Sequence, residues 1–233
     1  MKHCMTFVFL LVMNVIAAQN IGNGDGITTD LQAGIVIRDV PIEGSAYVND
    51  LYTQGVVFVG GISKREALMR YDAYNEAVEL LDENGRARKL LRRKNIKAIF
   101  DDTTYEVIEY LADSKIKFGY FNPLNAGYAV LYFRPKKIFL QAENPDNGYD
   151  TYDPPRYEDM SSYYLKRGNQ PAMEVKLHKR HLLRTLVQNT DEVNKFIKTY
   201  QLNLKNETDV IRLLDHYNSL LTQKEENTQT SPF

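Results

Sequence analysis

The sequence predicts an α+β fold, in which a meandering antiparallel β-sheet is followed by a small C-terminal helical segment. Two patterns support this prediction. From about residue 33 to 177 the apolar residues occur in short runs, many with the period of two that is typical of half-buried strands. After residue 178 the apolar spacing becomes three and four residues, which is typical of amphipathic helices. The pattern leaves open whether the sheet curls into a barrel.

The first half of the predicted sheet rests on turns and short apolar runs. Residues 56–59 form a β-branched and aromatic run between glycine turns, which predicts a strand. Residues 64–81 contain good helix formers, but their place between a Gly-Gly and an Asn-Gly turn favours two strands that bend near residues 72–75. Asn84-Gly85 then predicts a hairpin, with its returning strand within residues 86–92.

The second half of the predicted sheet shows clearer alternation. Residues 115–120 alternate lysine or glycine with apolar side chains, which predicts a strand. Residues 128–133 are apolar on both faces and predict a more central strand, and residues 137–141 continue after a break at a proline. Residues 173–177 alternate again. Residues 144–157, rich in proline, asparagine and aspartate, predict a long loop.

Three helices are predicted after the sheet. The leucines of residues 182–186 indicate a short helix, and residues 193–200 have apolar side chains at i, i+3, i+4 and i+7. Residues 210–221 form a longer apolar stripe, with Asn206 or Thr208 as the predicted N-cap. Because each stripe covers one face only, we expect the helices to pack on each other or on the sheet.

The N-terminus has the three-part layout of a secretory signal peptide. Lys2 supplies positive charge, residues 5–18 are almost continuously apolar, and the run ends in the small residues Ala17 and Ala18. A run of about 14 residues is too short to span ~30 Å of hydrocarbon comfortably as a helix. A retained membrane anchor is the alternative. Cleavage is expected after Ala17 or Ala18, and the pattern does not decide between them.

The composition of the full chain is that of an ordinary globular protein, with 43% hydrophobic and 25% charged residues. The 16 tyrosines and the lack of tryptophan are unusual, since tyrosine suits strands, interfaces and carbohydrate surfaces alike. The predicted division is a signal peptide at 1–18, a flexible leader at 19–32, a β-rich domain at 33–177, C-terminal helices packed on it at 178–222 and a polar tail at 223–233.

The cysteine and charge counts exclude several classes of protein. Cys4 is the only cysteine and lies inside the signal, so the mature chain has no disulfide, thiolate metal site or cysteine nucleophile. The formal net charge of −1 falls to −2 once Lys2 is removed, which gives no general attraction for nucleic acid. An export signal without disulfides favours a bacterial envelope protein, located in the periplasm or associated with the outer membrane.

Several short motifs resemble an uncharacterised family of exported β-rich proteins from Bacteroidetes-type bacteria. The matching segments are residues 44–50 (GSAYVND), 55–57 (GVV), 68–75 (LMRYDAYN), 192–197 (EVNKFI) and 215–220 (DHYNSL). Val48 and Ala73 depart mildly from the family pattern. The resemblance covers most of residues 44–221 and implies a β-rich body, a helical C-terminus and an envelope location, but it implies no activity.

No motif predicts a catalytic residue, a metal or a cofactor. The sequence has no Gly-x-Ser-x-Gly elbow, His-Glu-x-x-His pair or Walker loop. His178 and His181 are three residues apart and could face together as metal ligands, but adjacent lysine and arginine residues oppose a cation, so we expect a solvated helix start. Paired carboxylates for glycoside hydrolysis stay open, with Glu106, Glu109 and Glu143 as candidates.

Two segments are candidate binding surfaces. Residues 86–97 contain seven cations in twelve residues, which could bind anionic lipid or acidic polysaccharide, or could protect a solvated hairpin edge. The tyrosines of the long loop could form a glycan or partner surface, or could pack as ordinary strand and loop rings. The predicted binding residues are Arg86, Arg88, Lys89, Arg92, Arg93, Tyr149 and Tyr152.

The sequence therefore favours an exported, non-enzymatic envelope protein that binds another protein or an anionic envelope component. Peripheral membrane contact is a further prediction, and nucleic acid is not an expected partner. One alternative is a hydrolase acting on glycans, which two carboxylates facing each other across a polar β cleft would favour. The other is a carrier of a small apolar ligand, which an empty apolar barrel interior would favour. The oligomeric state is not predicted.

Overall fold

Most of the predicted β-rich region and helices are described by the computed structural model, which covers residues 41–143, 152–186 and 190–229. These residues belong to one unit, Pro41–Phe233. The signal peptide, the leader and Tyr149 lie outside the described residues, so what the sequence predicts for them stays a prediction.

The described residues form twelve strands and three helices. The strands are β1 (Thr53–Val59), β2 (Ser63–Asp72), β3 (Ala77–Leu81), β4 (Ala87–Lys89), β5 (Ile96–Phe100), β6 (Thr103–Ala112), β7 (Lys115–Pro123), β8 (Ala129–Arg134), β9 (Lys137–Leu140), β10 (Arg156–Asp159), β11 (Ser162–Arg167) and β12 (Met173–Val175). The helices are α1 (Lys179–Thr185), α2 (Thr190–Thr199) and α3 (Glu207–Gln229).

Ten of these strands form one antiparallel sheet, in the order β12-β11-β8-β7-β6-β5-β1-β2-β3-β4. Strands β9 and β10 pair separately as a two-stranded sheet. The helices follow the last strand, which confirms the predicted α+β class.

The large sheet curls, which answers the question that the sequence pattern left open. Strand β6 runs past the beginning of β5, and its far half meets the residue that precedes β12 in a parallel bridge between Tyr110 and Ala172. The amide of Leu111 donates to the carbonyl of Ala172 at 2.9 Å, and the amide of Ala172 donates to the carbonyl of Glu109 at 2.8 Å. Strands β6, β7, β8, β11 and β12 therefore curl round one interior.

Strand β6 contributes side chains to two cores on opposite faces of the sheet. Tyr105 and Val107 pack in a core with side chains from β1, β2, β3, β5 and β7. Ile108 and Tyr110 point the other way, into the interior enclosed by β6, β7, β8 and β11. That interior is filled by aromatic rings, with Phe121 and Tyr164 edge to face at 5.0 Å between ring centroids.

The helices cover the outer face of β8, β11 and β12. Leu131 and Leu165 of the sheet pack in one core with Leu182 of α1, Val193 of α2 and Leu213 of α3. The predicted short helix and both longer helices are thereby confirmed. Of the two predicted caps for α3, the structure selects Asn206, whose side-chain oxygen accepts from the amide of Asp209 at 3.3 Å. Helix α3 extends to Gln229, so the predicted polar tail begins inside this helix and not after it.

The ambiguous stretch at residues 64–81 forms two strands, β2 and β3, as predicted from its flanking turns. The Asn84-Gly85 hairpin is also present, with Gly85 at φ +72°. Its returning strand β4 is shorter than residues 86–92. The amide of Leu90 still donates to the carbonyl of Val78 in β3 at 2.9 Å, and the chain then leaves the sheet edge, where the carbonyl of Leu91 accepts from the Tyr120 hydroxyl at 2.9 Å.

A buried ion pair joins the two halves of the curled sheet. Arg134, at the end of β8, is only 8% exposed. Its guanidinium donates to Glu76 Oε2 at 2.6 and 3.0 Å, to the Tyr110 hydroxyl at 2.9 Å and to the Tyr164 hydroxyl at 3.1 Å. Glu76 lies in the turn between β2 and β3, at φ +52°. The turn of one half is therefore held against the strand end of the other.

Glu76→Gln should destabilise the protein, because it leaves the buried guanidinium of Arg134 without a neutralising carboxylate. Arg134→Met should also destabilise, whereas the double variant should regain part of the loss. We expect a coupling energy of about 2 kcal/mol from urea unfolding of the four proteins. The control is Glu66→Gln, which breaks an exposed pair with Lys64 and should cost less than about 0.5 kcal/mol. A coupling energy near zero would show that the pair does not hold the sheet together.

A second polar contact attaches helix α3 to the sheet. The Tyr163 hydroxyl on β11 donates to Glu207 Oε2 at 2.9 Å in the first turn of α3. Burial, and then this hydrogen bond, raise the pKa of Tyr163 to about 12. The folded protein therefore holds this proton more tightly than the unfolded chain does.

The unfolding free energy should fall as pH rises between about 10 and 12, because unfolding then releases the Tyr163 proton. The contribution of this tyrosine is fully present below about pH 10 and is lost as pH approaches 12. In Tyr163→Phe the decline should be shallower, as measured by urea unfolding at a series of pH values. Glu207→Gln should also shift the pKa of Tyr163 downward. An identical pH dependence in wild type and Tyr163→Phe would contradict this account.

Candidate functional site

Two adjoining cavities lie near the middle of the sheet. The first has a volume of about 610 Å³ and the second about 390 Å³. Both are lined by Lys94 and Glu106, so we treat them together and name them the Lys94 cleft. The cleft lies where β5 begins and β6 continues past it.

The register of the strands explains why a cleft forms here. The pairing of β5 with β6 stops at Lys97 opposite Glu106. On the same side, β6 next meets the chain at Ala172, opposite Tyr110. Between these two pairings, Val107 and Ile108 face no other strand of the described residues on that side. The second cavity occupies this notch and is lined by both residues.

A row of three side chains crosses the floor of the first cavity. Phe58 lies opposite Lys97, and Lys97 lies opposite Glu106, on the adjacent strands β1, β5 and β6. Directly opposite residues in antiparallel strands have their Cβ atoms about 5 Å apart on one face. Phe58 is half-buried and Lys97 is exposed. The row therefore combines an aromatic ring, a cation and a carboxylate on one accessible surface.

The second cavity is more polar. The Tyr132 hydroxyl donates to Glu106 Oε1 at 2.7 Å. Burial, followed by this hydrogen bond and the charge of Glu106, raises the pKa of Tyr132, so the phenol stays protonated. Lys166 and Asn169, from β11 and the turn after it, complete the rim. The Lys166 ammonium also donates to the carbonyl of Gly168.

Lys94 lies between the two cavities and connects them to the β6–β7 hairpin. Its ammonium is 2.8 Å from Glu109 Oε1 and 5.6 Å from the centroid of the Phe118 ring. More than half of the Lys94 side chain is exposed, so the pair is accessible to solvent. Lys94 and Lys97 belong to the cation-rich segment that the sequence singled out.

Three of the five predicted binding residues of that segment contact acceptors within the chain. Arg88 pairs with Asp82 at 3.0 Å, and the ammonium of Lys89 is 3.7 Å from Asp72. Arg92 donates to the backbone carbonyls of the β2–β3 turn at 2.8 and 2.9 Å. These three cations therefore have partners within the chain, as expected for a protected hairpin edge.

The remaining predicted residues divide into three groups. Arg86 and Arg93 are exposed, and neither side chain has an acidic partner among the described residues. Tyr152, in the long loop, is exposed, and Tyr149 lies outside the described residues. None of the six predicted binding residues that the structure describes lines the Lys94 cleft.

The candidate carboxylates do not form an opposed pair. Glu106 and Glu109 both line the second cavity, but their odd spacing along β6 directs the side chains to opposite faces of the sheet. Glu109 is neutralised by Lys94, and Glu106 accepts from Tyr132. Glu143 lies in a bridge with Asp153, away from β6 in the chain. This geometry does not favour the hydrolase alternative.

The apolar-carrier alternative gains no support either. The curled interior is occupied by Tyr110, Phe121, Tyr132 and Tyr164, together with the guanidinium of Arg134. An interior filled by its own side chains leaves no apolar cavity for a ligand among the described strands.

His178 and His181 both accept backbone hydrogen bonds at the start of helix α1. His178 is the N-cap, and its Nδ1 accepts from the amide of Arg180 at 3.3 Å. His181 Nδ1 accepts from the amide of Lys176 at 3.3 Å. In the described ranges, no group of three or more histidine, cysteine, aspartate or glutamate side chains is placed to hold a metal ion.

The sequence did not identify Phe58, Tyr132 or Lys166 as site residues. Phe58 appears in the sequence as one member of a buried strand, and Tyr132 and Lys166 come from segments far along the chain. Only the pairing of β1, β5 and β6, and the curl that brings β8 and β11 to β6, place them together.

Comparisons with family models, with curated proteins and with solved structures gave no match to this chain. The resemblance to an exported family therefore stays a prediction. None of the helices in the described part of the chain is long and apolar enough to cross a membrane.

Proposed function

We propose that the protein is an exported, non-enzymatic binding protein of the bacterial cell envelope, and that the Lys94 cleft binds an acidic saccharide. The observation that supports this most directly is the row formed by Phe58, Lys97 and Glu106 across three adjacent strands. Such a row offers different groups to different parts of one ligand.

The chemistry of the row matches a sugar that has an acid group. The ring of Phe58 can pack against the C–H face of a pyranose, since aromatic rings combine large apolar area with a defined geometry. Lys97 can form a charge-assisted hydrogen bond to a carboxylate or phosphate. Glu106 and Asn169 can bond to ring hydroxyls. An apolar wall with a few convergent polar groups is the usual composition of a ligand site.

An oligogalacturonate is a suitable acidic probe, and the same oligomer with methyl-esterified carboxyls is its neutral counterpart. In isothermal titration calorimetry the acidic form should bind at least about tenfold more tightly than the ester, because only it can pair with Lys97. Lys97→Gln and Phe58→Ala should each weaken binding of the acidic form by about tenfold. Circular dichroism of each variant checks that the fold is kept.

The matched control is Lys205→Gln, which removes an exposed lysine between α2 and α3 and should leave the affinity unchanged. Equal binding of acid and ester, no saturable binding, or full affinity in Lys97→Gln would each overturn the proposed site. Chromatography of the oligomer after incubation tests the non-enzymatic part of the proposal, since shortened products would contradict it.

Export can be tested without any ligand. The full chain, expressed in a Gram-negative host, should be recovered from the envelope fraction with Ala18 or Gln19 as its first residue in intact-mass analysis. A variant without residues 2–18 should remain in the cytoplasm. Recovery of the uncleaved chain in the membrane fraction would support a retained anchor, and an uncleaved cytoplasmic chain would contradict export.

A further inference from the structure

The β6–β7 hairpin extends past the strands beside it and leaves an apolar surface uncovered. Leu111 lies opposite Ile116, and Glu109 lies opposite Phe118. These residues continue the face on which Val107 and Tyr120 are buried, one step nearer the core. Ile116 is 59% exposed and Phe118 is 44% exposed. We name Leu111, Ile116 and Phe118 the hairpin strip.

Another exposed apolar side chain lies in a turn at the same end of the strands. Ile62, in the turn between β1 and β2, is 92% exposed, which is the highest value among the large hydrophobic residues of the described chain. The amide of Gly60 in this turn donates to the carbonyl of Asn95 at 2.7 Å. Lys94, which precedes Asn95 in the chain, contacts Glu109 and Phe118 of the hairpin. The turn and the hairpin strip are thus connected through two consecutive residues.

Positive charge lies on both faces of the hairpin that carries these apolar side chains. Lys115 and Lys117 alternate with Ile116 and Phe118 along β7 and so project from the opposite face of the hairpin, whereas Lys94 lies against Phe118 itself. Arg93 is exposed in the adjoining loop. The acidic residues on this part of the hairpin are Glu109 and Asp113, which pair with Lys94 and Lys117. The four cations therefore outnumber the acids.

We propose that this end of the sheet, with Ile62 and the hairpin strip, docks onto the surface of a bilayer that contains anionic lipid. Isolated apolar side chains on separate turns can each enter the headgroup region, which adapts to them. The lysine and arginine side chains at the same end of the sheet are attracted to anionic headgroups. The excess of cations favours a lipid surface over a second copy of this chain, which would bring the same positive charge opposite itself.

This proposal is independent of the acidic-saccharide site, although Lys94 adjoins both. Docking of this end of the sheet on a membrane would place the opening of the Lys94 cleft near the lipid surface, because the β1–β2 turn contributes Gly60 and Gly61 to the cleft. Loss of membrane binding with normal saccharide binding, or the reverse, would separate the two proposals.

The test is co-sedimentation of the chain, as recovered from an expressing host, with vesicles of phosphatidylcholine alone or with about 30% phosphatidylglycerol. We expect at least about tenfold tighter binding to the anionic vesicles, weakening as salt is raised. Ile62→Asp and Ile116→Asp should each weaken binding by about tenfold, because each removes one apolar side chain from the bilayer. Lys115→Glu should weaken binding to anionic vesicles only.

The matched control is Leu51→Asp. Leu51 is 72% exposed but precedes β1, at the opposite end of the strands. Its neighbour Asn49 contacts Asp101 in the β5–β6 turn at 3.3 Å, which places it there. Unchanged binding in Ile62→Asp and Ile116→Asp, equal loss in Leu51→Asp, or no preference for anionic vesicles would overturn the proposal. So would a dimer in sedimentation velocity that Ile116→Asp dissociates, because the hairpin strip would then be a self-association surface.

Discussion

The buried charge of Arg134 constrains the rest of the structure. A guanidinium that is only 8% exposed is tolerated when a carboxylate and further acceptors surround it. The carboxylate comes from Glu76 in the β2–β3 turn, and the hydroxyls come from Tyr110 and Tyr164 in the other half of the sheet. The sheet must therefore curl far enough to bring that turn to the end of β8. The curl in turn determines that β6 lies between two cores.

The double role of β6 also explains why the cleft lies where it does. Tyr105 and Val107 need β5 beside them to close the first core, whereas Tyr110 needs the chain at Ala172 to close the second. The two partners approach the same edge of β6 from different directions and do not meet. The gap between them is lined by Val107 and Ile108, one from each core, and by polar side chains from several segments. The cleft therefore forms because β6 buries one face in the first core and its opposite face in the second.

Local sequence signals predicted the elements but not their assembly. Asn84-Gly85 and the alternation of residues 115–120 predicted real strands, because turn geometry and side-chain period are encoded within a few residues. Glu76 carried no such signal, since its partner lies 58 residues away. The cation-rich segment is a second example. A count of charges along the chain does not reveal partners such as Asp72 and Asp82, which neutralise part of that segment only after folding.

Several of the many tyrosines connect separate elements of the fold through their hydroxyl groups. The hydroxyls of Tyr120, Tyr132 and Tyr163 each reach a carbonyl or carboxylate on a separate element. Tyr71 is the one buried side chain of the described residues whose polar atom has no partner. In a chain whose only cysteine precedes the described residues, these hydrogen bonds fix the relative positions of strands that no disulfide holds. Tyrosine content is therefore weak support for a glycan surface here. The argument for saccharide binding depends instead on exposed groups such as Lys97, which the folded core does not require.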